Sequence, residues 1–315
     1  MARIRIVTPA RAGARNGNRH TARRWAGFLR GLRHQVAISV AWDGEPCDLL
    51  IALHARRSHP AVVAFRKRHP RQPLIVALTG TDLYKDLPAS REARQSLRLA
   101  DRVIVLQSEA KRALAPGLRR KTRVVYQSAA PAVRHAPPAR TIRIAVVGHL
   151  REEKDPFRAA FALAHLVGKY EVVQVGDALS PAMAAKAREL AKRDLRYRWL
   201  GGRSHAQAMR WIARSHALVV SSRMEGGANV ISEAARIGTP VLASRMPGNL
   251  GMLGRDYPGY YRLADTKALA VLIAKCGADR RFLGRLKRAL AARRALFAPA
   301  AEKAALNRVV KEALR

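Results

Sequence analysis

The feature that most constrains this chain is an alternation that runs, stops and restarts. Short apolar runs, RIRIVT (3–8), QVAISV (35–40), DLLIALH (48–54), PLIVALT (73–79), RVIVLQ (102–107) and RVVYQS (123–128), are mostly separated by helical patterns. A proline-rich, aperiodic stretch, AAPAVRHAPPAR (129–140), interrupts the series. It then resumes with TIRIAVVG (141–148), EVVQVG (171–176), RYRWLG (196–201), HALVVSS (216–222) and TPVLAS (239–244). Strands alternating with helices make parallel sheets joined by right-handed crossovers. The expected fold class is therefore α/β, with two doubly wound, Rossmann-like domains. The proline-rich stretch reads as the linker between them.

The expected boundaries are an N-terminal domain over 1–135, a C-terminal domain over 141–295 and a terminal helical segment over 296–315. At about 150 residues per domain, 315 residues suit two domains, each with its own core. Two such domains facing one another would leave a cleft at their strand C-terminal edges, where ligands of open α/β sheets bind.

Lys and Arg total 60 against 22 Asp and Glu, a formal charge of +38. Such a charge implies anionic company, and nucleic acid, lipid and phosphorylated small molecules all qualify. Arg is scattered along presumptive helix faces and no recognised nucleic-acid motif occurs, so no specific nucleic-acid partner is expected. The opening MARIRIVTPARAG alternates Ile and Val with Arg and stops at Pro9, which reads as a strand rather than a signal peptide. No apolar run approaches the roughly 18 residues of a membrane span. Cys47 and Cys276 lack metal-like spacing and read as buried thiols of a reducing compartment, so a cytoplasmic location is expected.

In a chain this short of acids, SSRMEGGANVISEAARIG (221–238) stands out for Glu225 and Glu233 on either side of a Gly-Gly pair. It follows a strand directly and leads into a helix. Glycines let backbone N–H groups approach an anion, and a helix N-terminus adds partial positive charge, so Gly226, Gly227, Ala228 and Asn229 can receive a diphosphate. Glu233 can then accept from ribose hydroxyls, and Glu225 from those of an attached sugar. The plainer alternative is a tight turn with two surface glutamates. VVGHLREEKDP (146–156) tilts the balance, because it also ends a strand, turns at Gly148 and supplies Arg151 and Lys154. Cations for phosphate and acids for hydroxyls suit a nucleotide sugar.

With both motifs in place, the C-terminal half resembles the donor domain of the retaining, two-Rossmann-domain (GT-B) glycosyltransferases. GHLREEKD is similar to their GRLxxEKG loop, and Glu225 and Glu233 match their paired-glutamate spacing. The resemblance implies that Lys154 with Arg151 neutralises the leaving diphosphate, that Gly227 to Asn229 contact sugar and phosphate, and that Glu233 binds ribose. His149 stands where the family has Arg. The tail is similar to a family helix that returns to the first domain, and ADRVIVLQSEAKRAL (100–114) to a common N-domain segment. No Asp-x-Asp occurs, in keeping with metal-independent GT-B catalysis, so no metal or other cofactor is expected.

A narrower resemblance lies in GNRHTARRWAGFLRGL (17–32), TGTDLY (79–84) and RMEGGANVISEA (223–234), which are similar to the selenosugar synthases of selenoneine biosynthesis. It implies a UDP-sugar and selenophosphate as substrates. The residues themselves allow this. Gly13, Gly17 and Asn18 form a polar loop with Arg15, Arg19 and Arg24 close by, Thr79-Gly80-Thr81 makes a small anion-binding turn, and Asp82 follows it. His54 ends the third strand. The acceptor-binding expectation is Gly17, Asn18, Arg24, His54, Thr81 and Asp82. The competing readings are that His54 is structural and that Asp82 caps the next segment. Helix 20–34, with Ala22, Trp25, Ala26, Leu29 and Leu32 on one face, suits a core or a membrane surface carrying a lipid-linked acceptor. A lipid-linked or carbohydrate acceptor is the alternative to selenophosphate.

Overall fold

The computed structural model describes residues 1–11, 13, 17–80 and 82–315. They form two compact units, Met1–Gln127 with Pro299–Arg315, and Ser128–Ala298.

The first unit holds a six-stranded sheet of β1 (Arg3–Val7), β2 (Gln35–Ser39), β3 (Leu49–Leu53), β4 (Leu74–Leu78), β5 (Arg102–Val105) and β6 (Thr122–Val124), in the order β2-β1-β3-β4-β5-β6. Every pair is parallel. β3 and β4 are buried along their whole length, which is why they read as unbroken apolar runs rather than alternating ones. Their side chains divide by parity. Leu49, Ile51, Leu53, Ile75 and Ala77 share one core with Trp25, Ala26 and Leu29; Leu50, Ala52, Leu74, Val76 and Leu78 share the other with Phe65 and Leu97.

The helix expected over 20–33 spans Gly17–Arg30, and it buries Thr21, Ala22, Trp25, Ala26 and Leu29. The core reading of its apolar face therefore holds, and the membrane-surface reading is corrected: Trp25 is wholly inside. The helix Pro299–Leu314 joins the same core through Leu306, Val309 and Val310. Between the two helices lies Glu302, 1% exposed. Its Oε1 accepts from Trp25 Nε1 at 2.8 Å and its Oε2 pairs with Arg24 Nε at 2.8 Å. A buried carboxylate is tolerable only when its lone pairs are occupied in this way. Glu302→Ala leaves an indole N–H without its acceptor and a guanidinium without its counter-charge. We expect a loss of about 2 to 3 kcal/mol, at the lower end for a broken buried pair because Arg24 can rehydrate, read as a lower denaturation midpoint.

The second unit holds β7 (Ile142–Val147), β8 (Tyr170–Val175), β9 (Tyr197–Trp199), β10 (Ala217–Val220), β11 (Val241–Ser244) and β12 (Tyr260–Tyr261), again all parallel, in the order β12-β11-β10-β7-β8-β9. β12, two residues long, carries too little pattern to be read from sequence. β7 and β10 are neighbours, with Ala217 opposite Ile144 and Leu218 opposite Ala145. The chain winds one way from β7 to β8 and β9, and the other way from β10 to β11 and β12. The onward connections from β7 and β10 thus run to opposite ends of the sheet, and this is the switch point at which open α/β sheets bind ligands.

The expected linker runs from the last strand of the first sheet to the first strand of the second. Residues 129–140 lie against the second unit: Ala129 N–H donates to Phe297 O at 3.1 Å, Ala136 N–H donates to Ala213 O at 2.8 Å, and His135 Nε2 is 2.9 Å from Ser215 O. Prolines lack N–H donors, so the stretch docks through the few donors between them. Among the described residues no helix is long and apolar enough to cross a membrane.

Candidate active site

Two loops meet at the β7/β10 switch point. The first leaves Val147 through Gly148, at φ +149°, and closes with a short turn over Glu152–Lys154. Asp155 ends that turn in the left-handed region, φ +44°, a conformation unfavourable for a residue with a Cβ. Its buried carboxylate accepts from Arg158 Nε at 2.8 Å, which holds it there. The second loop leaves Val220, and Ser221 Oγ donates to Asp155 O at 2.7 Å and to Lys154 O at 3.1 Å. Arg223 N–H donates to Glu153 O at 2.8 Å. The loops are therefore sewn together by backbone as well as side chains.

Lys154 Nζ then donates to Glu225 Oε1, which also accepts from Ser222 Oγ at 2.6 Å. Below the carboxylate, a Cβ on Gly248 would stand 2.2 Å from Glu225 O, so only glycine lets the following helix approach so closely. Ser244 Oγ donates to Ser222 O at 2.6 Å, and Asn249 Nδ2 donates to Ser244 O at 2.9 Å. Gly148, His149, Lys154, Gln174, Ser222 and Glu225 line a small cavity here. A cation and a carboxylate side by side in one cavity can receive a ligand that carries both anionic groups and hydroxyls.

The helix Asn229–Ile237 begins at Ala228, whose side chain makes no capping hydrogen bond, and its first turn carries the partial positive charge of a helix N-terminus. Glu233 lies on this helix, and its Oε1 is 2.9 Å from His205 Nε2. His205 opens the helix His205–Ala213, fixed at its start by a capping box between Ser204 and Gln207. The two glutamates of the motif thus meet different cations, Lys154 and His205. The hydrogen bond from Glu233 holds the exposed His205 imidazole above its ordinary pKa against a smaller opposing effect of burial. With the folded-state value raised, this contact stabilises the protein at low pH and fades as pH rises through it. Glu233→Gln should return the His205 titration, followed by its ring NMR signals, to the ordinary histidine range.

The other expected donor residues are placed as follows. Arg151 Nη1 pairs with Glu153 Oε1 at 3.2 Å, so it is directed along its own turn and not onto Glu225. His149 Nδ1 lies 4.0 Å from Asp177 Oδ2. Gly226 is buried beside Glu225, with Gly227, Ala228 and Asn229 leading from it into the helix. His205 and Ser222 were not among the expected site residues; the Glu233 contact joins positions 28 residues apart, and no local pattern announces it.

In the first unit the order β2-β1-β3 makes a second switch point, and His54 follows β3 there at φ +75°. It is 4% exposed. His54 Nδ1 accepts from Arg57 N–H at 3.3 Å and Nε2 is 3.6 Å from Asp86 Oδ2, itself paired with Arg56 Nε at 3.1 Å. Burial pushes the His54 imidazole below its usual pKa, against the pull of Asp82. Asp82 is wholly buried, which raises its carboxyl pKa, and it accepts from the N–H groups of Gly80 (2.8 Å), Ala55 (3.1 Å) and Thr79 (3.3 Å). Its partners precede it, so it ties the loops after β3 and β4 together instead of capping the turn that follows. Gly17 and Asn18 open the helix after β1, where Gly17 O accepts from Thr21 Oγ1 at 2.8 Å. Arg24, expected to contact an acceptor, is ion-paired with Glu302. Thr81 and Arg15 lie outside the described residues.

Two all-parallel, six-stranded, doubly wound units make the GT-B class of glycosyltransferase fold. The chain belongs to the glycosyl transferases group 1 family, whose model matches residues 132–289, half of its length. Similar solved structures include Alr3699/HepE of Anabaena in complex with UDP-glucose, at 18% identity and a TM-score of 0.80 over 99% of this chain and 100% of that one. Sucrose-phosphate synthase of Thermosynechococcus elongatus is similar at 17% identity and a TM-score of 0.82, over 99% of each chain. A glycosyltransferase of Rickettsia africae is similar at 14% identity and 0.75, over 99% and 98%. At these identities the likeness is one of fold. No curated protein sequence matches the chain.

Proposed function

We propose that this glycosyltransferase uses a UDP-sugar, UDP-N-acetylglucosamine or UDP-glucose, and transfers the sugar to selenophosphate. The product is a 1-selenosugar, made with release of UDP in selenoneine biosynthesis. The observation that carries the donor half is the Lys154–Glu225 pair, with Glu225 on the loop that leads into the helix Asn229–Ile237, which offers charge to a diphosphate and a carboxylate to sugar hydroxyls. UDP complexes of the similar Anabaena protein agree with it. In this reading Lys154 and the helix N–H groups neutralise the β-phosphate as the anomeric C–O bond breaks, Glu225 binds the sugar, and Glu233 binds ribose.

The acceptor half rests on GNRHTARRWAGFLRGL and TGTDLY, and on the state of the groups near them. His54 is 4% exposed with Nδ1 accepting from the Arg57 N–H, and Asp82 is wholly buried and occupied by three backbone donors, so neither is presented as a base for a hydroxyl acceptor. Selenophosphate is already ionised and needs no base. Its selenium forms the bond to the anomeric carbon as the C–O electron pair leaves on UDP, and hydrolysis of the Se–P bond then frees the selenosugar. Mass spectrometry of enzyme, UDP-sugar and fresh selenophosphate should show a sugar product with the selenium isotope pattern. UDP release without selenium in any sugar product would defeat the acceptor assignment and leave the UDP-sugar transferase.

The catalysis proposed needs no metal, because the cationic side chain and helix N–H groups supply the charge that a metal would. Turnover should survive excess EDTA. Loss that magnesium or manganese restores would refute this part of the reading.

A further inference from the structure

The +38 charge is not used up by a site that employs one lysine and a helix end, and one surface of the second unit gives it a destination. Apart from Met1, the two most exposed large apolar side chains among the described residues are Val167, 97% exposed, and Leu195, 86% exposed. They stand on adjoining loops, those entering β8 and β9: Arg196 Nη1 donates to Leu166 O at 2.8 Å and Nη2 to Leu163 O at 2.9 Å. Behind them a groove of about 440 Å³ is lined by Phe161, Ala164, Leu190 and Tyr197 among others. Solvent-facing apolar tips next to an apolar groove carry a cost in water that a surface loop of polar residues would not.

The rim of this surface is cationic. Lys169 is exposed on the Val167 loop, and Lys186, Arg188, Lys192 and Arg193 are exposed along the helix Pro181–Arg193. Lys186 Nζ lies over the Phe161 ring at 5.4 Å. The acids nearby are already paired, Glu189 with Arg193 and Asp194 with Arg196, leaving an excess of positive charge. Two apolar tips within a basic rim match an anionic bilayer, whose headgroups take the charge while its acyl boundary takes the tips. Nucleic acid would take the charge and leave Val167 and Leu195 in water. The surface lies on the edge where strands enter the sheet, opposite the edge from which the Lys154 and Glu225 loops leave, so occupancy of one does not block the other.

We infer that the loops carrying Val167 and Leu195, with the basic face of helix Pro181–Arg193, form a peripheral docking surface for anionic lipid bilayers. The test is sedimentation of the purified full chain with vesicles of phosphatidylcholine alone or mixed with phosphatidylserine, at physiological salt, with and without duplex DNA as competitor. Wild-type protein should pellet with the mixed vesicles and not with phosphatidylcholine alone. The double variant Val167→Ser/Leu195→Ser should bind the mixed vesicles about tenfold more weakly or worse, since both inserted side chains are gone. Lys169→Glu/Lys192→Glu should weaken binding similarly. UDP affinity, measured by calorimetry, should not change in either variant. No sedimentation with mixed vesicles, undiminished binding by the Val167/Leu195 variant, or complete displacement by DNA would each overturn the inference. The last two would assign the contact to charge alone.

Discussion

Lys154→Gln should cut UDP-sugar turnover by about 10² to 10³ while leaving the protein folded. The size follows from what the ammonium is asked to do, since removing one preorganised donor from a developing oxyanion costs about 3 to 4 kcal/mol of transition-state stabilisation. Arg151, the other cation of this loop, pairs with Glu153, whereas Lys154 is the one that meets Glu225. Nor does the lysine hold up the fold. Its side chain is about a quarter exposed, and the loop that carries it is fixed by Ser221, Asp155 and the Arg223 N–H, all of which the variant keeps. Glu225→Gln separates the two halves of the pair. It frees Lys154 from an internal carboxylate, so free UDP should bind more tightly, yet turnover should fall because the sugar loses its acceptor group. Turnover of Lys154→Gln within about tenfold of wild type would remove this lysine from the chemistry.

Gly176→Ala should be the most damaging methyl group that can be added to the second unit. Gly176 ends β8 at φ +151°, and a Cβ there would lie 1.9 Å from Gly148 O and 2.4 Å from Gly148 C. Both neighbours are backbone atoms, and they are fixed: Gly148 N–H donates to Val175 O and Gly176 N–H to Gly201 O, each at 2.9 Å. Neither side can yield without breaking the ladder. Overpacking and an unfavourable backbone conformation together cost about 3 to 5 kcal/mol, or a fall of roughly 6 to 15 °C in Tm. Any folded fraction should bind donor poorly, because Gly148, against which the added Cβ presses, begins the loop that carries Lys154. A Tm within a degree or two of wild type would show that β7 and β8 separate more easily than their packing implies.

The strands and the strand–turn–helix course of residues 217–237 were legible because each is a local pattern. Runs such as LLIAL and LIVAL report burial on both faces, and a glycine turn between a strand and a helix is compact enough to read in one line. What escaped depends on pairs far apart in sequence. Glu302 meets Trp25 across 277 residues and pairs with Arg24 Nε, a contact that no local pattern around either helix announces. His205 carries no signal of its own, since it becomes notable only when helix Asn229–Ile237 brings Glu233 to it. Asp82 was read in its right neighbourhood and given the wrong alternative role, because a carboxylate that serves preceding N–H groups looks the same in sequence as one that caps a following turn. That the linker 129–140 is hydrogen-bonded to the second unit was not legible either. Proline counts predict the lack of regular structure and say nothing about whether the remaining donors find partners.

The first unit is discontinuous, and this sets an order of assembly. Ser128–Ala298 is one uninterrupted stretch and has every strand of its sheet by the time Tyr261 leaves the ribosome. Met1–Gln127 is made earlier yet stays incomplete, with the Trp25 face lacking Leu306, Val309, Val310 and the carboxylate of Glu302 until the final helix emerges. The segment made first is thus finished last. For the time needed to translate some 170 residues, of the order of ten to thirty seconds at about 5 to 20 residues per second, its apolar helix face waits for a partner. Chaperone dependence during synthesis would then fall on the first unit, and premature termination before Pro299 would leave the second unit whole and the first one open.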